Sequence, residues 1–95
     1  MIMEGYSLVE KEQIADFHFP SNEILEEPGD IKQRAVALER ANALGNIEHQ
    51  KVRIYFSDDQ GDKVVETTIW GITDKAILLK KNVRLPINRI VKLEI

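Results

Sequence analysis

The sequence predicts one small domain that is mainly β with one N-terminal helix, an α+β chain. Three observations carry this. The chain has 95 residues, 43% apolar and 31% charged, the balance of a single globular domain. Residues 31–44 place apolar side chains at three-and-four spacing, the mark of a one-faced helix. Residues 50–95 are short alternating or β-branched runs separated by turn signals, which read as five strands. Five short strands with short loops bury one face by bending strongly, so the expected architecture is a five-stranded small barrel capped by the helix.

Residues 1–29 are expected to form an acidic N-terminal arm, partly ordered or disordered. Ser7-Leu-Val-Glu10 reads as a capping box that opens a short helix towards Phe17. Pro20, Pro28 and Gly29 then break regular structure. Phe17, Phe19, Ile24 and Leu25 are apolar in an acidic stretch. They either anchor the arm to the body or dock on another protein.

Residues 30–95 are expected to hold the helix and the barrel. Asp30 is a good N-cap, Gln33 completes a capping box, and Gly45 is the expected left-handed stop. Ile31, Ala35, Leu38 and Ala41 form the predicted buried stripe. Residues 51–57 alternate, with Val52, Ile54 and Phe56 on one face and Lys51, Arg53 and Tyr55 on the other. A polar hairpin loop follows at 57–62, where Gly61 supplies a positive φ. Residues 63–72 form a β-branched strand that Gly71 interrupts, at a bend or a close backbone approach. Residues 75–80 are the third strand. Residues 83–85 are the fourth, which Pro86 ends or kinks because proline cannot donate to a ladder. Asn88 and Arg89 form a single helical turn before the fifth strand, 90–95.

Composition excludes several chemistries. No cysteine is present, which removes disulfides, thiolate metal sites and cysteine nucleophiles. His18 and His49 are too few for a histidine metal cage. Asp58, Asp59 and Asp62 flank Gly61 without the ligand order of a calcium loop. There is no phosphate loop, no dinucleotide pattern and no serine–histidine–acid spacing. The expectation is therefore no enzyme, no metal and no cofactor. No apolar run approaches membrane-spanning length and no secretory signal is visible, so a cytoplasmic protein with no membrane contact is expected.

The net charge of −3 hides an asymmetry. Residues 1–30 hold eight acids against Lys11 alone, while residues 31–95 hold twelve bases against eight acids. The arm either folds over a basic surface or leaves that surface to an anionic partner. Six residues are candidate ligand or nucleic-acid contacts. Lys51, Arg53 and Tyr55 share a strand face, either solvated or a weak single-strand binding surface. Trp70 either stacks on a base or peptide, or plugs the gap between helix and sheet. Asn88 and Arg89 either contact an anion or satisfy local backbone and an acid.

Ile69-Trp-Gly-Ile-Thr-Asp-Lys-Ala-Ile-Leu-Leu79 places a glycine in a bent strand before an aspartate and alternating apolar positions. Leu85-Pro-Ile-Asn-Arg-Ile-Val91 places a short turn between the last two strands. With the preceding helix, this resembles the Sm-like branch of the SH3-like small β-barrel family, including the bacterial Hfq proteins. Trp70-x-x-Thr73 and Pro86-Ile-Asn-Arg-Ile90 also resemble small bacterial proteins of this fold. The resemblance implies an Sm-like RNA binder acting in post-transcriptional regulation. The departures are specific. Ile77 stands where the family's uridine-binding asparagine would follow Asp74, Ile90 follows Arg89 in place of glycine, and the Hfq lysine–histidine pair is missing. The primary expectation is thus a non-catalytic interaction module that binds a protein partner or itself through open strand edges, with RNA binding as the alternative.

Overall fold

The computed structural model describes residues 5–95. One main helix, α1 (Pro28–Glu48), and seven strands form a mixed α+β fold. The strands are β1 (Ser7–Val9), β2 (Val52–Asp58), β3 (Gly61–Thr67), β4 (Ile69–Ile72), β5 (Ala76–Leu79), β6 (Val83–Pro86) and β7 (Ile90–Glu94). One sheet has the order β1-β3-β2-β7 and the other β4-β5-β6. The five expected strands are thus seven, and strand pairing closes neither sheet into a barrel. The extra strands have simple origins. The run 63–72 breaks at Thr68 into β3 and β4, which sit in different sheets, and β1 comes from the arm.

The core lies between the sheets and under α1. Val52, Ile54 and Phe56 enter it from β2, as their alternation requires, with Ile69, Ile77, Leu79, Leu85 and Ile90 from the later strands. Helix α1 presents Arg34, Leu38, Ala41 and Gly45 inward. The expected stripe included Ala35, which is exposed. The helix is rotated so that Arg34 goes in, because its guanidinium finds three acceptors there. It meets both Glu23 oxygens at 2.6 and 2.7 Å and donates to the Ile90 carbonyl at 2.9 Å.

Both helix ends differ from expectation. Glu27 is the N-cap, with Pro28 opening the helix, and Asp30 lies in the first turn. Gly45 is not the stop. The helix runs to Glu48 and His49 takes the left-handed cap at φ 55°. Gly45 is glycine because a methyl group there would overlap the Ile69 carbonyl oxygen. Of the two readings of Gly71, the close backbone approach is met at Gly45 instead, while at Gly71 itself the pairing of β4 with β5 shifts register.

The arm begins as a strand. Ser7 to Val9 pair parallel with Lys63 to Val65, so Ser7 caps no helix. A 3-10 turn follows at Lys11–Asp16, where Gln13 Oε1 accepts from the Glu10 N–H at 2.8 Å. The capping box is thus Glu10 and Gln13, three residues downstream of the expected one. Ile14 is fully buried in the core, worth about 2 kcal/mol, and Phe17 and Phe19 pack on Phe56 with centroids at 6.3 and 6.0 Å. Of the arm's acids, Glu4 lies outside the described residues.

Candidate functional site

The six candidate residues separate into three places. Asn88 and Arg89 sit in the 3-10 turn Ile87–Arg89 and hold the arm. Arg89 is buried and donates to the carbonyls of Ser57 at 3.1 Å and Asn22 at 3.0 Å. Asn88 donates from its side chain to the Ser21 carbonyl and accepts from the Ile24 N–H through its own carbonyl. Asn88 serves backbone, but backbone 67 positions away rather than local, and Arg89 serves distant backbone where an acid was the expected partner. Arg89 meets no acid among the described residues.

Arg53 and Tyr55 lie on the outer face of β2, which is covered at Tyr55 and open at Arg53, where Arg53 and Lys51 line a shallow cleft with Glu66 and Glu94. Tyr55 is fully buried rather than outward and solvated. Tyr6 stacks edge-on at 4.9 Å, Lys92 lies 4.8 Å over its ring, and its hydroxyl donates to Glu94 at 2.6 Å. Burial, then the hydrogen bond and charge of Glu94, raise the Tyr55 phenol above its usual value. The Tyr55 hydrogen bond holds the Glu94 carboxyl low, against some desolvation and with help from Arg53 and Lys92. Arg53 lies between Glu66 at 4.0 Å and Glu94 at 3.7 Å.

Trp70 and Lys51 remain, and they meet in one cleft. The pairing of β4 with β5 passes from Ile69↔Leu79 to Gly71↔Leu78, so Trp70 is the extra residue of a bulge. A bulge re-aims a side chain, and here it turns the indole outward, 51% exposed. Ile69, not Trp70, fills the gap between helix and sheet. The cleft has a volume of about 340 Å³ and gathers residues from five segments. His49 comes from the cap of α1, with its ring 6.2 Å from the indole. The Thr68 hydroxyl donates to the His49 carbonyl at 3.2 Å and fixes that cap. Lys51 precedes β2, Lys80 follows β5, Lys11 opens the arm's 3-10 turn, and Thr67 and Thr68 form the junction of β3 and β4.

No acid lines this cleft. Lys11 is held by the neighbouring Glu12 at 3.3 Å. Lys51 and Lys80 form no ion pair among the described residues. The arrangement offers a flat aromatic surface beside positive charge, which suits a planar anionic ligand. Nothing in the sequence pattern marks His49, Lys11 and Lys80 as site residues. They lie 21, 59 and 10 positions from Trp70, and only the fold unites them.

Of the three aspartates of the hairpin loop, Asp58 holds the backbone of the turn. Asp58 is buried and accepts from the Gln60 and Gly61 N–H groups at 2.9 and 3.1 Å and from Lys63 at 2.8 Å. Burial alone would raise its carboxyl, but these partners outweigh it and hold it below the usual range. Among the described residues no cluster of His, Asp or Glu could hold a metal ion, and no helix is long and apolar enough to cross a membrane. A scan against protein-family models and searches of curated proteins and solved structures return no match to this chain.

Proposed function

We propose that the chain is a non-catalytic binding module of the Sm-like small-barrel kind, and that its Trp70 cleft takes single-stranded nucleic acid. The carrying observation is the bulge at Trp70, which exposes an indole beside Lys51, Lys80 and His49 with no acid in the lining. Base stacking on an aromatic face contributes about 1–3 kcal/mol per base and tolerates any base, while the lysines track phosphates. The small-barrel reading is supported by the order of elements. A helix precedes β2, the run β3–β4 bends at one residue, and a single turn joins β6 to β7. The family's uridine contacts are replaced at Ile77 and Ile90, so binding here rests on stacking and charge rather than on a base-specific pocket.

The test is fluorescence anisotropy of labelled oligo-uridine and oligo-adenine across a salt series. Two or three phosphate contacts give a log–log salt slope of about −1.5 to −2. Trp70→Ala is expected to weaken binding by tenfold or more at every salt concentration. Absence of binding at low salt, or undiminished binding by Trp70→Ala, overturns the reading.

A further inference from the structure

A second surface lies between α1 and β7, and it shares no residue with the Trp70 cleft. A groove of about 780 Å³ runs there, floored by Ala37, Leu93 and Ile95 and edged by Lys32, Val36 and Arg40. It continues past Ala37 and Leu93 into a narrower recess of about 380 Å³. Val36 is 61% exposed and Ile95 46% exposed, and both line this groove.

The charges on the edge have a regular spacing. Lys32, Val36 and Arg40 stand at i, i+4 and i+8 of α1, so they form one stripe in the order cation, apolar, cation. Four residues of helix rise about 6 Å, which sets the two cations about 12 Å apart along the axis. Neither Lys32 nor Arg40 forms an ion pair among the described residues; the wider part of the groove is lined by no acidic side chain, and Asp30 lines the recess beyond it. The cations Arg34 and Arg53, by contrast, each have carboxylate partners. An unpaired cation pair around an apolar centre is complementary to an acid–apolar–acid stripe.

We infer that this groove docks an acidic amphipathic helix of a partner protein, presenting Glu, Leu and Glu at i, i+4 and i+8. A helix is the matching occupant because it repeats the rise of α1, so all three contacts form in one register. The leucine enters between Val36 and the Leu93–Ile95 floor, and each glutamate meets one of the two cations. This is helix-in-groove recognition with charge fixing the orientation. It requires nothing of Trp70, and it stands or falls separately from the nucleic-acid reading.

The experiment is an NMR titration of the labelled full chain with a synthetic helical peptide carrying that triplet. Two control peptides replace both glutamates by glutamine, or the leucine by alanine. The expected result is shifts at Val36, Ala37, Leu93 and Ile95, with each control peptide binding at least about tenfold more weakly. The double variant Lys32→Glu with Arg40→Glu should lose the peptide while keeping its circular dichroism and its binding of oligonucleotide. No shifts with about 1 mM peptide, equal binding of the glutamine peptide, or shifts confined to the Trp70 cleft would each overturn the inference. So would a concentration-dependent dimer that covers Val36 in the free protein, since a second copy would then be the occupant.

Discussion

Two ends of the molecule use positive charge in opposite ways. Where the arm meets the body, Arg34, Lys63 and Arg89 are buried or half-buried and each is matched to an acceptor: Glu23 and Ile90, Asp58, and the Ser57 and Asn22 carbonyls. At the Trp70 cleft, Lys51 and Lys80 are exposed and have no ion pair among the described residues. The first set holds the fold together; the second leaves charge for something outside it. A count of lysines and arginines cannot separate the two roles, because a held cation and a free one count the same in the basic total of residues 31–95. What separates them is whether an acceptor reaches the cation before solvent does.

Removing one arginine at the arm should produce the largest effect. Arg34→Ala leaves the Glu23 carboxylate and the Ile90 carbonyl without their partner, and is expected to cost about 3 kcal/mol in urea denaturation. Arg89→Ala strands the Ser57 and Asn22 carbonyls and should cost about 2 kcal/mol. Losses below about 0.5 kcal/mol would show that these cations are as dispensable as those of the cleft.

Gly45→Ala comes next. Alanine is a better helix former by about 1 kcal/mol, yet its methyl meets the Ile69 carbonyl, so a net loss of about 2 kcal/mol is expected. Unchanged or raised stability would mean that α1 and β4 are not in that close contact.

Acid should weaken the arm end. Glu23 is held low chiefly by its hydrogen bond to Arg34, and Asp58 by Lys63 and the turn N–H groups against the cost of its burial. The unfolded chain has ordinary carboxylates, so it binds these protons first as pH falls. The stabilisation is therefore complete above the ordinary carboxylate range of about 4 to 4.5 and drains away as pH falls through it toward the depressed native values. Urea midpoints measured from pH 7 to 3 should be level at first and then drop, and Glu23→Gln should flatten part of the drop.

The smallest stability effects belong to the cleft. Lys51→Ala and Lys80→Ala should each change stability by less than about 0.5 kcal/mol while lowering oligonucleotide affinity and the salt slope. A stability loss as large as that of Arg34→Ala would erase the contrast between the two ends.

Much of the body was legible because it is local. The alternation of Val52, Ile54 and Phe56 fixes their inward face, and Pro86 ends β6 at the predicted position. What escaped depends on distant chain. Tyr55 alternates outward correctly, but Tyr6 and Lys92 cover it, and neither is near it in sequence. Arg34 belongs to the core only because Glu23 and Ile90 reach it. Gly45 carries the same residue type for a helix stop and for a close contact, and only the position of Ile69 decides between them. Trp70 and Lys51 were both visible as candidates. Their union with His49, Lys11 and Lys80 required the bulge and the helix cap.

The docking of the arm also has a consequence in time. Ser21 and Asn22 are tied to Asn88 and Arg89, 67 positions further along the chain. During synthesis at roughly 5–20 residues per second, about 3 to 13 s pass before those partners exist. Ile14, Phe17 and Phe19 have no Phe56-centred core to enter until β2 and its neighbours have formed, so these apolar side chains are made well before their shelter is. The acids around them, Glu10, Glu12 and Asp16 among them, keep that waiting segment charged and discourage it from joining other chains.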